Sequence, residues 1–223
     1  MATCLTSAPQ RDSLLDLIAA ADYRAIADLA ARDRLVLTRL LGLTFSADDL
    51  TGWRAAWALG RAAALVAERD AEFVRNVLRR LVWSLNDESG SVGWRSPQAM
   101  GAIIAASPGR FPEFVPLVLS LLELEERTFL PGTLWAVAQL ADSGVPGLDG
   151  AAALVRPYLA APEPAVRGMA ARCAGALGDG EATAALVGLL GDQATLTVFD
   201  GRDLVAATVG AEAERSLSKL RRR

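Results

Sequence analysis

The stretch VRGMAARCAGALGDGEATAALVGLLGD, Val166–Asp192, contains two short apolar segments, each followed by a Gly-Asp pair. The first segment is rich in alanine and glycine, whereas the second carries more leucine and valine. Alanine favours helices, and small side chains allow two helices to pack closely. The stretch therefore predicts two helices joined by a glycine-aspartate turn.

Similar pairs of segments recur through most of the chain. One set consists of apolar helices that end in a polar turn, in the stretches Glu72–Asp87, Glu113–Glu126, Ala153–Glu163 and Ala185–Asp192. A second set, rich in alanine or glycine, begins at Trp53, Trp94, Pro131 and Val166. Phe73, Phe114 and Leu154 occupy equivalent places, so the spacing predicts a two-helix unit of roughly 30 to 45 residues.

With these repeats, the chain resembles HEAT-like repeat proteins, especially the short repeats of phycobilisome lyases and of many bacterial proteins of unassigned function. The resemblance covers Asp33–Asp192 and is strongest in Val166–Asp192. It implies an all-α fold, an armadillo-like α-solenoid of helical hairpins that forms an α/α superhelix. It also implies that arginines early in the second helices, Arg54, Arg95 and Arg167, meet turn acids of neighbouring units. Such a fold carries almost no chemistry of its own.

The carboxy-terminal residues follow a different pattern. Thr195–Val209 alternates as a strand does and contains the turn pair Asp200-Gly201. We expect a β-hairpin with a four-residue loop, Asp200–Asp203, because a two-residue loop would set Val198 against Asp203.

The four-residue loop pairs Phe199 with Leu204, Val198 with Val205 and Leu196 with Ala207. Leu196, Val198, Val205 and Ala207 would then share one face. Thr208 would cap a final helix.

We expect one continuous domain in three parts. An amino-terminal helical cap occupies residues 1–32, the HEAT-like repeats occupy residues 33–192, and a β-hairpin with a capping helix occupies residues 193–223. The last part would cover the apolar face that an open-ended solenoid otherwise exposes.

Composition argues against several classes of function. The chain has no histidine and only two cysteines, Cys4 and Cys173, so Ser-His and Cys-His nucleophile systems and the usual zinc sets are absent. It also lacks a P-loop and a dinucleotide fingerprint. These absences favour a protein without a metal, a cofactor or enzymatic activity.

Charge and hydropathy bear on partners and location. The net charge of -3 provides no general attraction for nucleic acid. The amino terminus does not read as a secretory leader, and no apolar stretch is long enough to span a bilayer. We expect a cytoplasmic protein without a membrane partner, as a monomer or weak dimer.

A row of aromatic and polar residues recurs at equivalent places in the second helices. Trp53 aligns with Trp94, and Trp57 aligns with Gln98 and Trp135. The row consists of Trp53, Trp57, Trp94, Gln98, Trp135 and Gln139. Two interpretations stay open: a groove for a ligand or peptide on the concave side, or the packed core between repeats.

The connection Asn86–Gly93 is longer than the matching turn at Ala161–Ala165. Helix ends account for part of it, with Ser96 as the cap of the next helix and Pro97 at its first position. Glu88 and Trp94 have no such structural role, so we expect a binding rim here, with Asp87, Glu88, Trp94 and Arg95 beside the tryptophan row.

Our principal hypothesis is a non-catalytic scaffold that binds a protein partner along the concave face. One alternative is a HEAT-like DNA alkylpurine glycosylase or another nucleic-acid-binding protein, which would need a basic groove. Another alternative, a lyase or chaperone for a cofactor-bearing protein, follows from the family resemblance only.

Overall fold

The computed structural model describes residues 8–85, 95–124 and 127–222, with side chains described from residue 13 onward. These residues form twelve α-helices and one two-stranded antiparallel sheet. The helices are α1 (Ala8–Ala19), α2 (Tyr23–Arg32), α3 (Leu35–Leu43), α4 (Asp49–Ala67), α5 (Ala71–Leu85), α6 (Ser96–Ala105), α7 (Val115–Ser120), α8 (Leu130–Asp142), α9 (Ala151–Val155), α10 (Pro164–Leu177), α11 (Thr183–Leu189) and α12 (Val209–Leu220). The strands are β1 (Thr195–Phe199) and β2 (Leu204–Thr208).

The helices are arranged in two layers. In the inner layer, α2, α4, α6, α8, α10 and α12 each pack against the next even-numbered helix. Each odd-numbered helix packs against the even-numbered helix that follows it and forms the outer layer. Successive helical hairpins that contact their neighbours in this way form a HEAT-like α-solenoid. The predicted all-α solenoid with a short β-hairpin near the carboxy terminus is confirmed.

Small residues set the distance between the inner helices. A methyl group on Gly60 of α4 would lie 2.4 Å from the carbonyl oxygen of Ala102 in α6. One on Gly101 of α6 would lie 2.5 Å from the Ala136 side chain in α8. Glycine is thus needed at both contacts, because any side chain there would push the helices apart.

Local signals explain several helix ends. A carboxylate oxygen of Asp48 accepts a hydrogen bond from the Thr51 backbone N–H at 2.8 Å, and Thr208 caps α12 through the Ala211 N–H at 3.1 Å, as predicted. Ser96 does not cap α6 as expected: it is the first helical residue, and its hydroxyl pairs with Ser84 Oγ at 2.7 Å. The cap position belongs to Arg95, whose side chain makes no capping hydrogen bond to α6.

Two outer helices have a proline at one of their ends. Pro116 lies in the first turn of α7, which follows a 3₁₀ turn at Pro112–Phe114. Pro157 lies in a 3₁₀ segment, Arg156–Ala160, directly after α9. Pro116 is tolerated at the start of α7, where its missing N–H is not needed, whereas Pro157 cannot continue the hydrogen bonding of α9.

The β-hairpin has the predicted register. Phe199 pairs with Leu204, Val198 with Val205 and Leu196 with Ala207. The Asp200 carboxylate accepts the N–H groups of Asp203 and Arg202, both at 2.8 Å, and these bonds lower the pKa of the carboxyl group. The loop is therefore closed by its own first residue.

One face of the hairpin is only partly covered. Leu196 and Val198 are buried, but Val205, which we expected on the same covered face, is 39% exposed.

Within the described residues, no helix combines the length and apolarity that a bilayer-crossing segment requires.

We predict opposite effects for two glycine-to-alanine substitutions. Gly60→Ala should lower the free energy of unfolding by about 1–3 kcal/mol, because the new methyl group overlaps the α6 backbone. Gly188→Ala in α11 is the control: the site has free space, so alanine should raise stability by about 0.5–1 kcal/mol. Urea unfolding followed by circular dichroism measures both. Equal effects of the two substitutions would contradict the close approach of α4 and α6.

Candidate functional site

Three of the predicted tryptophans come together on the inner face, defined here as the side of the even-numbered helices that bears Trp53, Trp57 and Trp135. Trp53 and Trp57 lie one turn apart on α4, and Trp135 lies on α8. The Trp135 ring makes edge contacts with both, with centroid distances of 5.2 Å to Trp53 and 5.9 Å to Trp57. The rings reach each other across α6, where Gly101 and Ala102 keep the three helices close.

The hairpin supplies a fourth ring to this cluster. Phe199, at the end of β1, stacks on Trp53 with a centroid distance of 5.4 Å and makes an edge contact with Trp57 at 6.2 Å. Phe199 is 2% exposed, and Trp135 is equally buried. The aromatic part of the inner face is thus occupied by a segment of the same chain.

Arg54 joins the hairpin loop to the first helix. Its Nε donates to the Arg202 carbonyl oxygen at 2.8 Å, and Nη2 contacts the Asp203 carboxylate at 2.7 Å. Its Nη1 donates to the carbonyl oxygen of Ala19 at 2.7 Å, at the end of α1. One guanidinium group therefore ties residues of the first and the last parts of the chain together.

Two further candidate residues are buried between helices. Arg95 is 8% exposed; it donates to the carbonyl oxygens of Thr44 and Ser46 at 3.0 Å and pairs with Asp49. Gln98 is 6% exposed and packs over Gly132 of α8, where a methyl group would overlap it. These side chains offer a partner little surface. Asp87, Glu88 and Trp94 lie outside the described residues, so the rim hypothesis stays a prediction.

Part of the inner face is open beside the hairpin. A cleft of about 790 Å³ lies between α2, α4, α6 and α8. Trp57 and Gln139, both predicted site residues, line it. Trp57 borders the cleft and also lies beside the hairpin, since a methyl group on Gly201 would lie 3.7 Å from its ring.

The cleft combines small apolar residues with ionisable ones. Its apolar walls include Leu65, Ala102 and Ala105, and its charged groups are Asp22, Arg24, Asp28 and Arg61. Tyr23 also lines the cleft. The Tyr23 hydroxyl is buried and has no hydrogen-bond partner in the structure, and this burial raises the pKa of the phenol.

The described part of the chain offers neither a reactive cysteine nor a cluster of metal-binding side chains. Burial raises the pKa of the Cys173 thiol, which lies in the core and stays protonated. The described side chains include no group of three or more His, Cys, Asp or Glu placed to hold a metal ion.

Sequence reasoning missed Phe199, Tyr23, Arg24 and Arg61. Phe199 was placed correctly in the hairpin, but strand alternation does not tell which distant surface a strand contacts. The cleft residues Tyr23 and Arg24 belong to α2, which we had assigned to the amino-terminal cap and not to the repeats. The pairing of α2 with α4 could not be read from local sequence.

We predict that Phe199 is an anchor of the hairpin. Phe199→Ala should lower the free energy of unfolding by about 3–5 kcal/mol, because it removes a buried ring from the tryptophan cluster. Val205→Ala on β2, where the side chain is 39% exposed, is the control and should cost less than about 1 kcal/mol. Unfolding in urea measures both, and tryptophan fluorescence of native Phe199→Ala should shift to the red. If Phe199→Ala matched the control and kept the native spectrum, the hairpin would not bind the inner face in solution.

No protein-family model matches the chain, and no curated protein matches it. Among solved structures, an engineered protein from the Northeast Structural Genomics Consortium is 20% identical, with a TM-score of 0.54 over 99% of this chain and 93% of that chain. An archaeal HEAT-like repeats protein from Thermococcus onnurineus NA1 is 18% identical, with a TM-score of 0.44 over 94% of this chain and 80% of that chain. At 20% identity, the likeness to the engineered protein concerns the fold alone.

Proposed function

We propose that the protein is a non-catalytic scaffold that binds a segment of a partner protein on its inner face. The observation that carries this proposal is the open cleft of about 790 Å³ between α2, α4, α6 and α8. Clefts of this size bury most of a small ligand or several side chains of a peptide. The Trp57 indole at its wall is the type of side chain that contributes most to binding at protein interfaces.

The hairpin supports an extended segment as the ligand. Phe199 and the Asp200–Asp203 loop already contact the tryptophans and Arg54 of the same face. These intramolecular contacts support a partner segment that carries an aromatic side chain and a carboxylate. A partner segment would use the part that the hairpin leaves open.

Charge favours a protein over nucleic acid. The cleft carries two arginines and two aspartates, Arg24, Arg61, Asp22 and Asp28, whose formal charges sum to zero. Arg54, the other arginine of this face described above, is already paired with Asp203. Duplex DNA is bound through many phosphate contacts, for which this surface provides few free cations.

The test is a selection of peptides followed by obstruction of the cleft. A display library of random twelve-residue peptides is selected on the full-length protein, and the affinity of synthetic enriched peptides is measured by fluorescence anisotropy. Ala106→Trp places a large ring in the cleft at an exposed position and should weaken binding at least tenfold, about 1.4 kcal/mol. Ala153→Trp, exposed on α9 and away from the cleft, is the matched control and should leave affinity unchanged.

Two results would overturn the proposed function. One is a selection that enriches no peptide, or only peptides that Ala106→Trp and Ala153→Trp affect equally. The other is tight binding of a short DNA duplex that competes with the peptides, which would favour a nucleic-acid ligand. Melting temperatures of both variants, compared with the parent protein, exclude loss of binding through unfolding.

A further inference from the structure

Two arginines of the cleft have no polar partner. Arg24 on α2 and Arg61 on α4 are exposed, and neither makes a hydrogen bond or an ion pair with the residues that the structure describes. Other arginines of the chain are engaged: Arg54, Arg95 and Arg167 each hold a carboxylate and backbone carbonyl oxygens. Arg32 and Arg80 are also exposed without a described polar partner, but neither lines this cleft, whereas Arg24 and Arg61 lie in it together.

Arg24 is placed where it does not help its own helix. It lies in the first turn of α2, at the positive end of the helix dipole, and this turn contains no acidic residue. A cation at that end is unfavourable for the helix by a few tenths of a kcal/mol. Asp22 already caps this helix end, so Arg24 is the cationic group here that remains available to an anion.

Arg61 is held in position by an aromatic ring. Its guanidinium carbon lies 5.5 Å from the centroid of the Trp57 ring, a cation–π contact that leaves the N–H donors of the guanidinium free. A side chain that is already ordered loses less entropy when a ligand binds. Arg61 is therefore prepared to donate to an acceptor that enters the cleft.

The acids of the cleft limit what can bind. Asp22 is engaged as the cap of α2, where its carboxylate accepts the Ala25 N–H at 3.0 Å. Asp28 lies one turn beyond Arg24 on α2 and makes no ion pair with any described residue. Its charge disfavours a ligand with several adjacent carboxylates, since like charges repel in a partly desolvated cleft.

We infer that the cleft recognises one aspartate or glutamate side chain of the partner segment, bound by Arg24 and Arg61, beside an apolar side chain that packs on Trp57 and the alanines of α6. This inference rests on the proposed function and specifies the chemistry of its partner. Arginine is suited to the task because its planar donors match a carboxylate. The apolar walls, including Leu65 and Ala105, would contact the apolar side chain of the partner segment.

The experiment uses the peptides enriched on the full-length protein and three variants. Enriched peptides should share a single acidic residue next to an apolar or aromatic one. Synthetic versions with Asp→Asn or Glu→Gln should bind at least tenfold more weakly, as expected for loss of a charge-assisted hydrogen bond. The double variant Arg24→Gln with Arg61→Gln should weaken the acidic peptide to a similar degree and leave the amide peptide unaffected.

Matched variants separate specific recognition from overall charge. Arg32→Gln with Arg80→Gln removes the same charge from two exposed arginines outside the cleft and should change affinity less than twofold. Asp28→Asn removes the opposing charge and should tighten binding of the acidic peptide about two- to fivefold. Thermal melting checks that each variant is folded. Because the replaced side chains are exposed, we expect melting temperatures close to that of the parent protein.

The outcomes distinguish this inference from the proposed function. If Ala106→Trp weakens binding but the acidic and amide peptides bind equally, the scaffold proposal stands and the carboxylate inference is wrong. The inference is also overturned if the Arg32 and Arg80 variant loses as much affinity as the cleft variant. If Ala106→Trp has no effect on any peptide, both are overturned.

Discussion

The close approach of successive inner helices is the constraint on which the rest of the structure depends. Gly60 and Gly101 bring α4, α6 and α8 so near that an added methyl group would overlap a neighbouring helix. At this separation the large rings of α4 and α8 meet across the small residues of α6. Alanine and glycine, which contribute little buried area themselves, thus create the surface on which the aromatic residues cluster.

The hairpin adds contacts between repeats that are far apart in the chain. In a simple solenoid each unit contacts only its neighbours, so the ends are independent. Here Arg54 holds both the end of α1 and the Arg202–Asp203 loop, and Phe199 is buried against α4 and α8. Through Arg54, α4 therefore links the end of α1 to the hairpin that precedes the last helix, a connection across most of the chain.

The same contacts divide the inner face into two regions. The region around Trp53 and Trp135 is filled by the hairpin, and the region between α2 and α8 remains open. Trp57 belongs to both, because it lines the cleft and lies beside Gly201 of the hairpin. Of the predicted site residues, Trp57 and Gln139 line the open region, whereas Arg95 and Gln98 are buried between helices.

Local sequence determined a large part of this structure. The helical pairs, the capping of α12 by Thr208 and the register of the hairpin follow from patterns within a few residues, because helix periodicity, capping and strand alternation are short-range effects. The tertiary structure alone decided where those elements meet. The docking of Phe199 on Trp53, the engagement of Arg54 by Asp203 and the participation of α2 in the cleft depend on contacts between residues far apart in the chain. Periodicity carries no information about such contacts, since the same pattern is compatible with many partners.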